Sequence, residues 1–218
     1  MRIYESMKNY ADWNKVPPAD SLPCPELGTG LSLFHTCLVE SGLKNDESSG
    51  RPVVTAQTGE ISLSHLSRFV VGFLPFNSVT SKSETSAVLF EVYSFFNWLE
   101  KRDIRHGLEN LDFRATLRNL SSAQERCLKL SHCLDEESGR TLEDTPPIVE
   151  TINDFFRVVK IEGGFVCLQG HNEKEPVKLK LPNAIMRLIR LNDNLDLVVG
   201  DTSERWVLLE AGQVFPEG

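Results

Sequence analysis

Hydrophobic positions recur along this chain with two periods, and the change from one to the other divides it. Up to about residue 138 the spacing is helical. Tyr4, Met7, Tyr10 and Trp13 stand three or four apart and predict a short amphipathic helix. Pro17-Pro18, Pro23 and Pro25 end it, since proline lacks an amide donor and fixes its own φ. Leu31, Phe34 and Leu38 predict a second helix closed by Gly42, and the Gly/Ser-rich stretch 41–52 predicts a loop. Leu63, Leu66, Phe69, Val70, Phe73 and Leu74 make a broad apolar face over 62–74, which Pro75 stops. A Ser/Thr/Lys turn follows. Ser81 and Glu84 have capping-box spacing and open a helix over 85–102. Its stripe of Leu89, Val92, Phe96 and Leu99 is widened by Tyr93, Phe95 and Trp98, so it must be buried on more than one side. Phe113, Leu117, Leu120, Cys127, Leu128 and Leu134 predict a further helix over 112–134 with near-heptad spacing.

From Ile148 the period becomes two. Residues 155–161 and 165–168 flank Gly163-Gly164 as a hairpin, and 170–173 reads as a second turn. Val177, Leu179 and Leu181 alternate with Lys178 and Lys180, a half-buried strand ended by Pro182. Residues 183–190 read as one or two helical turns. Residues 195–199 and 205–209 pair around Gly200, and Val214-Phe215-Pro216 follow. The fold class is therefore α+β: an N-terminal helical bundle followed by a small C-terminal SH3-like or OB-like β-barrel. The expected divisions are an arm with short helices (1–59), a helical domain (60–138), an acidic linker (139–147) and the barrel (148–218).

Composition adds limits. Of 218 residues, 40% are hydrophobic and 25% charged, ordinary for a soluble globular protein. The net charge of −8 disfavours nucleic-acid binding by the molecule as a whole while leaving room for a local basic patch. Five scattered cysteines without a CxxC indicate neither a disulfide framework nor a zinc ribbon, and point to a reducing, cytoplasmic compartment. No apolar run reaches the roughly 18 residues of a membrane span, and the N-terminus has no signal-peptide core.

Candidate chemistry is sparse. His65 and Arg68, with Tyr93 downstream, spell the cation-plus-nucleophile set that phosphodiester transfer needs, but they fall on amphipathic helices as ordinary residues. His132-Cys133 with Cys127 is at most half a zinc site. Gly28-Thr-Gly30 has neither the preceding strand nor the third glycine of a dinucleotide loop. Paired acids such as Asp135-Glu136-Glu137 and Glu143-Asp144 sit where solvated charge is the default. No catalytic residue, cofactor or metal is expected. The feature best suited to a ligand is a basic run: Lys101, Arg102, Arg105, Arg114, Arg118, Arg126 and Lys129 outnumber Asp103, Glu109, Asp112 and Glu125, seven cations to four carboxylates. Such a face can hold phosphates.

Residues 60–106 carry one further signal. The run FVVGFLPFNSVTSKSETSAVLFEVYSFFNWLEKRDI, with Phe73-Leu74, Ser81 to Thr85, Leu89, Phe95 or Phe96, Trp98-Leu99 and Asp103-Ile104, resembles the SAM-like core-binding domain of phage integrases and other tyrosine recombinases. The resemblance implies a helical module of the kind that clamps DNA. The catalytic domain that follows it in that family has no counterpart here, so recombination is not implied. The reading taken from the sequence is a non-enzymatic binding or regulatory protein acting on a protein partner or as a homodimer, the latter suggested by the near-heptad seam. The alternatives are a DNA- or RNA-binding accessory protein using residues 101–129, and a hydrolase with a site the sequence does not display.

Overall fold

The α-period part of the chain forms helices and the β-period part closes into a barrel. The structure is a computed structural model that describes residues 1–48, 50–77, 81–144, 147–172 and 175–216, without the side chains of 142–144. It divides into two compact units, Met1–Ser121 and Ser122–Glu217.

In the helical unit, α1 (Ile3–Asn14) buries Ile3, Met7, Tyr10 and Ala11 and stops at Lys15, whose φ of 52° is left-handed. α2 (Thr29–Glu40) buries Leu31, Phe34, Cys37 and Leu38. The loop expected over 41–52 carries a small ribbon, β1 (Asn45–Asp46) paired with β2 (Val53–Val54). The helix expected over 62–74 is segmented: α3 (Leu63–Ser67), a π-helical stretch (Arg68–Phe73) and α4 (Leu74–Phe76). The helical path passes Pro75 by one residue, to Phe76, and closes at Asn77. Part of the turn expected next, residues 78–80, lies outside the described residues. α5 (Lys82–Glu100) begins with Ser81 Oγ accepting from the Glu84 amide at 3.2 Å. Its rings supply the centre of the core: Phe96 lies 5.3 Å from Phe95, 6.1 Å from Phe34 and 4.7 Å from Phe113, centroid to centroid.

α5 also holds the N-terminus of α2. Glu91 accepts from the amides of Gly30 at 2.8 Å and Leu31 at 3.4 Å. Burial raises the Glu91 pKa, partly offset by these two bonds. The Gly28-Thr-Gly30 sequence therefore has a packing role, since a Cβ on Gly30 would lie 2.9 Å from the Val88 carbonyl oxygen and 2.8 Å from the Glu91 carboxylate.

α6 (Phe113–Asp144) begins in the helical unit and continues into the barrel unit. It runs ten residues beyond the end expected at 134, through most of the expected linker. Arg140 pairs with Glu137 at 3.3 Å and Glu136 at 4.0 Å, one turn apart, and Ser138 is buried, so the segment is an amphipathic helix despite its polarity. Of the seam that suggested homodimerisation, Phe113 and Leu117 are buried in the helical unit and Cys127 and Leu134 join the barrel core, while Leu120 and Leu128 are half-buried.

The barrel consists of β3 (Glu150–Glu162), β4 (Phe165–Gly170), β5 (Val177–Lys180), β6 (Asn194–Asp201) and β7 (Trp206–Phe215), with α7 (Asn183–Met186) between β5 and β6. It closes in the order β3-β4-β5-β7-β6, with β6 back beside β3. β5 and β7 are parallel, and the other pairs antiparallel. The segments expected at 205–209 and 214–216 form one strand to Phe215, because register shifts against β6 keep it paired throughout. Inside, Phe156, Val158, Val166, Leu168, Leu179, Leu195, Leu197 and Val199 are at most 1% exposed. The turn expected at 170–173 falls partly outside the described residues.

In the helical unit the turn at 58–61 docks tightly on residues 105–107: Thr58 Oγ1 donates to the Arg105 carbonyl at 2.6 Å. A Cβ on Gly107 would lie 2.0 Å from the Ile61 carbonyl oxygen. Gly107→Ala is therefore expected to destabilise the protein by about 2–3 kcal/mol, read as a lower urea midpoint. An unchanged midpoint would contradict the docking.

Candidate nucleic-acid interface

Strand alternation sorts the barrel side chains. While Phe156, Val158, Val166, Leu168, Val177 and Leu179 point inward, Phe155, Arg157, Phe165, Cys167, Gln169, Lys178 and Lys180 are left outward on β3, β4 and β5. A bulge refines the pattern. Val158 pairs with Leu168 but Lys160 pairs with Cys167, so Val159 is the extra residue and Lys160 takes the outward position. The register then places Lys160, Cys167 and Lys178 side by side across three strands, with Arg157 beside Gln169 and Phe165 beside Lys180.

The result is a face on which cations and rings alternate. Lys178 Nζ lies 4.6 Å from the centroid of the Phe165 ring. Phe155 is 54% exposed, a large ring left in water on a strand whose neighbours are buried. Of the four cations, Lys160 pairs with Glu162 at 2.8 Å, and Lys178 also attracts that carboxylate. Where β5 meets β7, Lys180, Arg205 and Trp206 line a cavity of about 180 Å³ together with Glu137 and Thr141. Trp206 is half-buried and packs against the core, so it serves both sides.

The seven cations singled out from sequence are divided between the units. Lys101, Arg102, Arg105, Arg114 and Arg118 belong to the helical unit, and Arg126 and Lys129 to the barrel unit. Arg102 is held between two indoles, its guanidinium 4.4 Å from the Trp13 ring and 4.7 Å from the Trp98 ring. Arg126 is committed internally: it donates to both carboxylate oxygens of the buried Asp193 at 2.7 Å and to the Leu188 carbonyl at 2.9 Å. These contacts raise its pKa and take it out of any phosphate-binding role. Arg114 and Arg118 flank a groove between α5 and α6, and Lys101, Arg105 and Lys129 are exposed.

The other candidates have structural positions. His65 Nδ1 accepts from the Ser62 amide at 3.0 Å and so caps α3. Tyr93 stacks on Phe113 with centroids 6.0 Å apart. His132 pairs with Glu136 at 3.4 Å on the exposed side of α6, while burial pushes the Cys127 thiol up to about 11. No three His, Cys, Asp or Glu side chains form a metal-holding group among the described residues. The side chains of Glu143 and Asp144 lie outside them.

One cluster had no signature in the sequence, because its members come from separate segments. Tyr4, Cys24, Glu26, His35 and Arg51 meet beneath α2. Tyr4 and Arg51 both donate to Glu26; burial alone would raise the pKa of this carboxyl, but the two donors hold it below its usual value. His35 Nε2 accepts from the Val54 amide at 3.1 Å, so its proton sits on Nδ1, 3.6 Å from Cys24 Sγ. Burial lowers His35 to about 4 and raises Cys24. The pair is thus a neutral imidazole donating to a thiol, the reverse of a base activating a nucleophile.

Comparisons with family models, curated proteins and solved structures return no match to this chain. Among the described residues, no helix is long and apolar enough to cross a membrane.

Because Asp193 is only 1% exposed, removing its partner leaves a carboxylate buried and uncompensated. Arg126→Ala is expected to cost about 3 kcal/mol, and the double variant with Asp193→Ala less than the sum of the two single losses. Additive losses in denaturant titrations would show that the pair is not coupled.

Proposed function

We propose that this is a non-enzymatic, cytoplasmic binding protein whose barrel is OB-like and lays a single strand of nucleic acid across β3, β4 and β5. The observation that carries the reading is the outward face of Phe155, Arg157, Lys160, Phe165, Lys178 and Lys180. Cations that track phosphates and rings that stack on bases are the two components of sequence-tolerant single-strand binding. Strand order supports OB-like over SH3-like: a Greek key in which the fifth strand lies between the third and fourth, with α7 before the fourth. In OB barrels the oligonucleotide face involves the second and third strands, here β4 and β5. The resemblance of residues 60–106 to DNA-clamping helical modules leans the same way, and we read the helical unit as such a bundle.

The net charge of −8 reaches this face too: Asp196 stands opposite Phe155, and Glu162 stands beside Phe165. Arg157, Lys160, Lys178 and Lys180 nonetheless outnumber Glu162 on the outward positions from Phe155 to Glu162 and along β4 and β5, a local cationic excess. Docking therefore depends on a local face, and its affinity should fall steeply with salt.

Fluorescence anisotropy with a fluorescein-labelled oligothymidylate of about 15 nucleotides tests the reading. Binding is expected at about 50 mM salt, weakening as salt rises. The double charge reversal Lys178→Glu with Lys180→Glu should weaken it more than about tenfold, and Phe155→Ala by a similar factor through lost stacking. Absence of binding at low salt, unchanged affinity of these variants, or equal affinity for a duplex of the same length would overturn it.

A further inference from the structure

The helical unit has a second recognition feature, independent of the barrel. Between α5 and α6 lies a groove of about 560 Å³, a volume suited to a short segment rather than a folded surface. Its floor is apolar: Leu89 and Leu117 are 7% and 8% exposed, and Tyr93 is fixed beside them by its stack on Phe113. One rim is Phe90, which at 69% exposed is the most exposed phenylalanine among the described residues. The other rim is Arg114 and Arg118, one helical turn apart on α6 and therefore on the same side. Both guanidinium groups are exposed. Among the described residues, neither makes a hydrogen bond or ion pair with the protein and no carboxylate lines the groove.

We propose that this groove binds an acidic peptide segment of a partner protein, with one bulky apolar side chain on the Leu89–Leu117 floor against Phe90, and carboxylates on Arg114 and Arg118. Charge complementarity selects the sign of the occupant. A guanidinium presents a planar fork that matches a carboxylate with two parallel bonds, and two forks a turn apart match two acidic residues. The floor selects a peptide over a nucleobase: two leucines offer no flat platform for a base, and Phe113 already covers one face of Tyr93. The apolar anchor and the charged pair act together, since the anchor excludes water from the rim and strengthens each charge-assisted bond.

The test is a titration of the full-length chain into a fluorescein-labelled peptide of sequence Asp-Asp-Leu-Phe-Asp-Glu, beside a control with Asn and Gln at the acidic positions. The acidic peptide is expected to bind and the neutral one to bind at least about tenfold more weakly. Arg114→Gln with Arg118→Gln, an exposed pair whose loss leaves the core intact, should weaken binding of the acidic peptide at least about tenfold, with Phe90→Ala acting in the same direction. Lys178→Glu with Lys180→Glu should leave it unchanged, which separates this site from the barrel face. Failure of the acidic peptide to bind, equal affinity for the neutral peptide, or indifference to the arginine changes overturns the proposal. So does displacement of the peptide by oligothymidylate accompanied by loss of oligothymidylate affinity in the arginine variant, which would make the groove a nucleic-acid surface.

Discussion

Alternate residues of β3, β4 and β5 are drawn into a core that also takes in Cys127, Leu130 and Leu134 of α6, and the rest of the barrel follows from that inward packing. Each fully buried aliphatic or aromatic side chain contributes roughly 1.5–3 kcal/mol, so a one-residue slip in register would expose the whole set and is strongly disfavoured. The strands therefore have no freedom about which side chains face out. Phe155, Arg157, Lys178 and Lys180 share a surface because Phe156, Val158, Val177 and Leu179 cannot. The bulge at Val159 is the one departure, and it returns a lysine rather than a valine to the outer face. Arg126 braces the same unit from outside the core by holding the buried Asp193 carboxylate.

The helical unit uses charge differently. Glu91 reaches from α5 to the first amides of α2, and Glu26 gathers Tyr4 and Arg51, so two of its half-buried carboxylates act as clasps between segments. His35 and Cys24 sit deeper and stay neutral. These groups explain how titratable residues gather under α2 without an acid–base site, since burial moves the His35 and Cys24 pKa values away from the physiological range in the directions that suppress reactivity. What remains for recognition lies at the surface: the outer barrel face, and the groove edged by Arg114, Arg118 and Phe90.

Much of the architecture was legible because periodicity reports burial. The alternation of Val177 and Leu179 with Lys178 and Lys180 gave both the strand and its two faces, and the Tyr4–Met7–Tyr10 spacing gave α1. Boundaries were harder where polar sequence is helical for local reasons, as in residues 135–144, where Arg140 pairs along α6. The basic run at 101–129 was visible as composition, but sequence could not show that Arg102 lies between two indoles or that Arg126 is tied to Asp193, sixty-seven positions away. The cationic face of the barrel escaped notice for the opposite reason. Its members are spread over β3, β4 and β5, and only the register Lys160–Cys167–Lys178 brings them into one row.

The central claim is that nucleic acid contacts this outer barrel face. The most direct measurement is ultraviolet cross-linking of the full-length protein to oligothymidylate, with the adducts located by mass spectrometry. The account predicts adducts on the peptides that contain Phe155 and Phe165. Adducts confined to α5 and α6, or spread without preference over the chain, would contradict it.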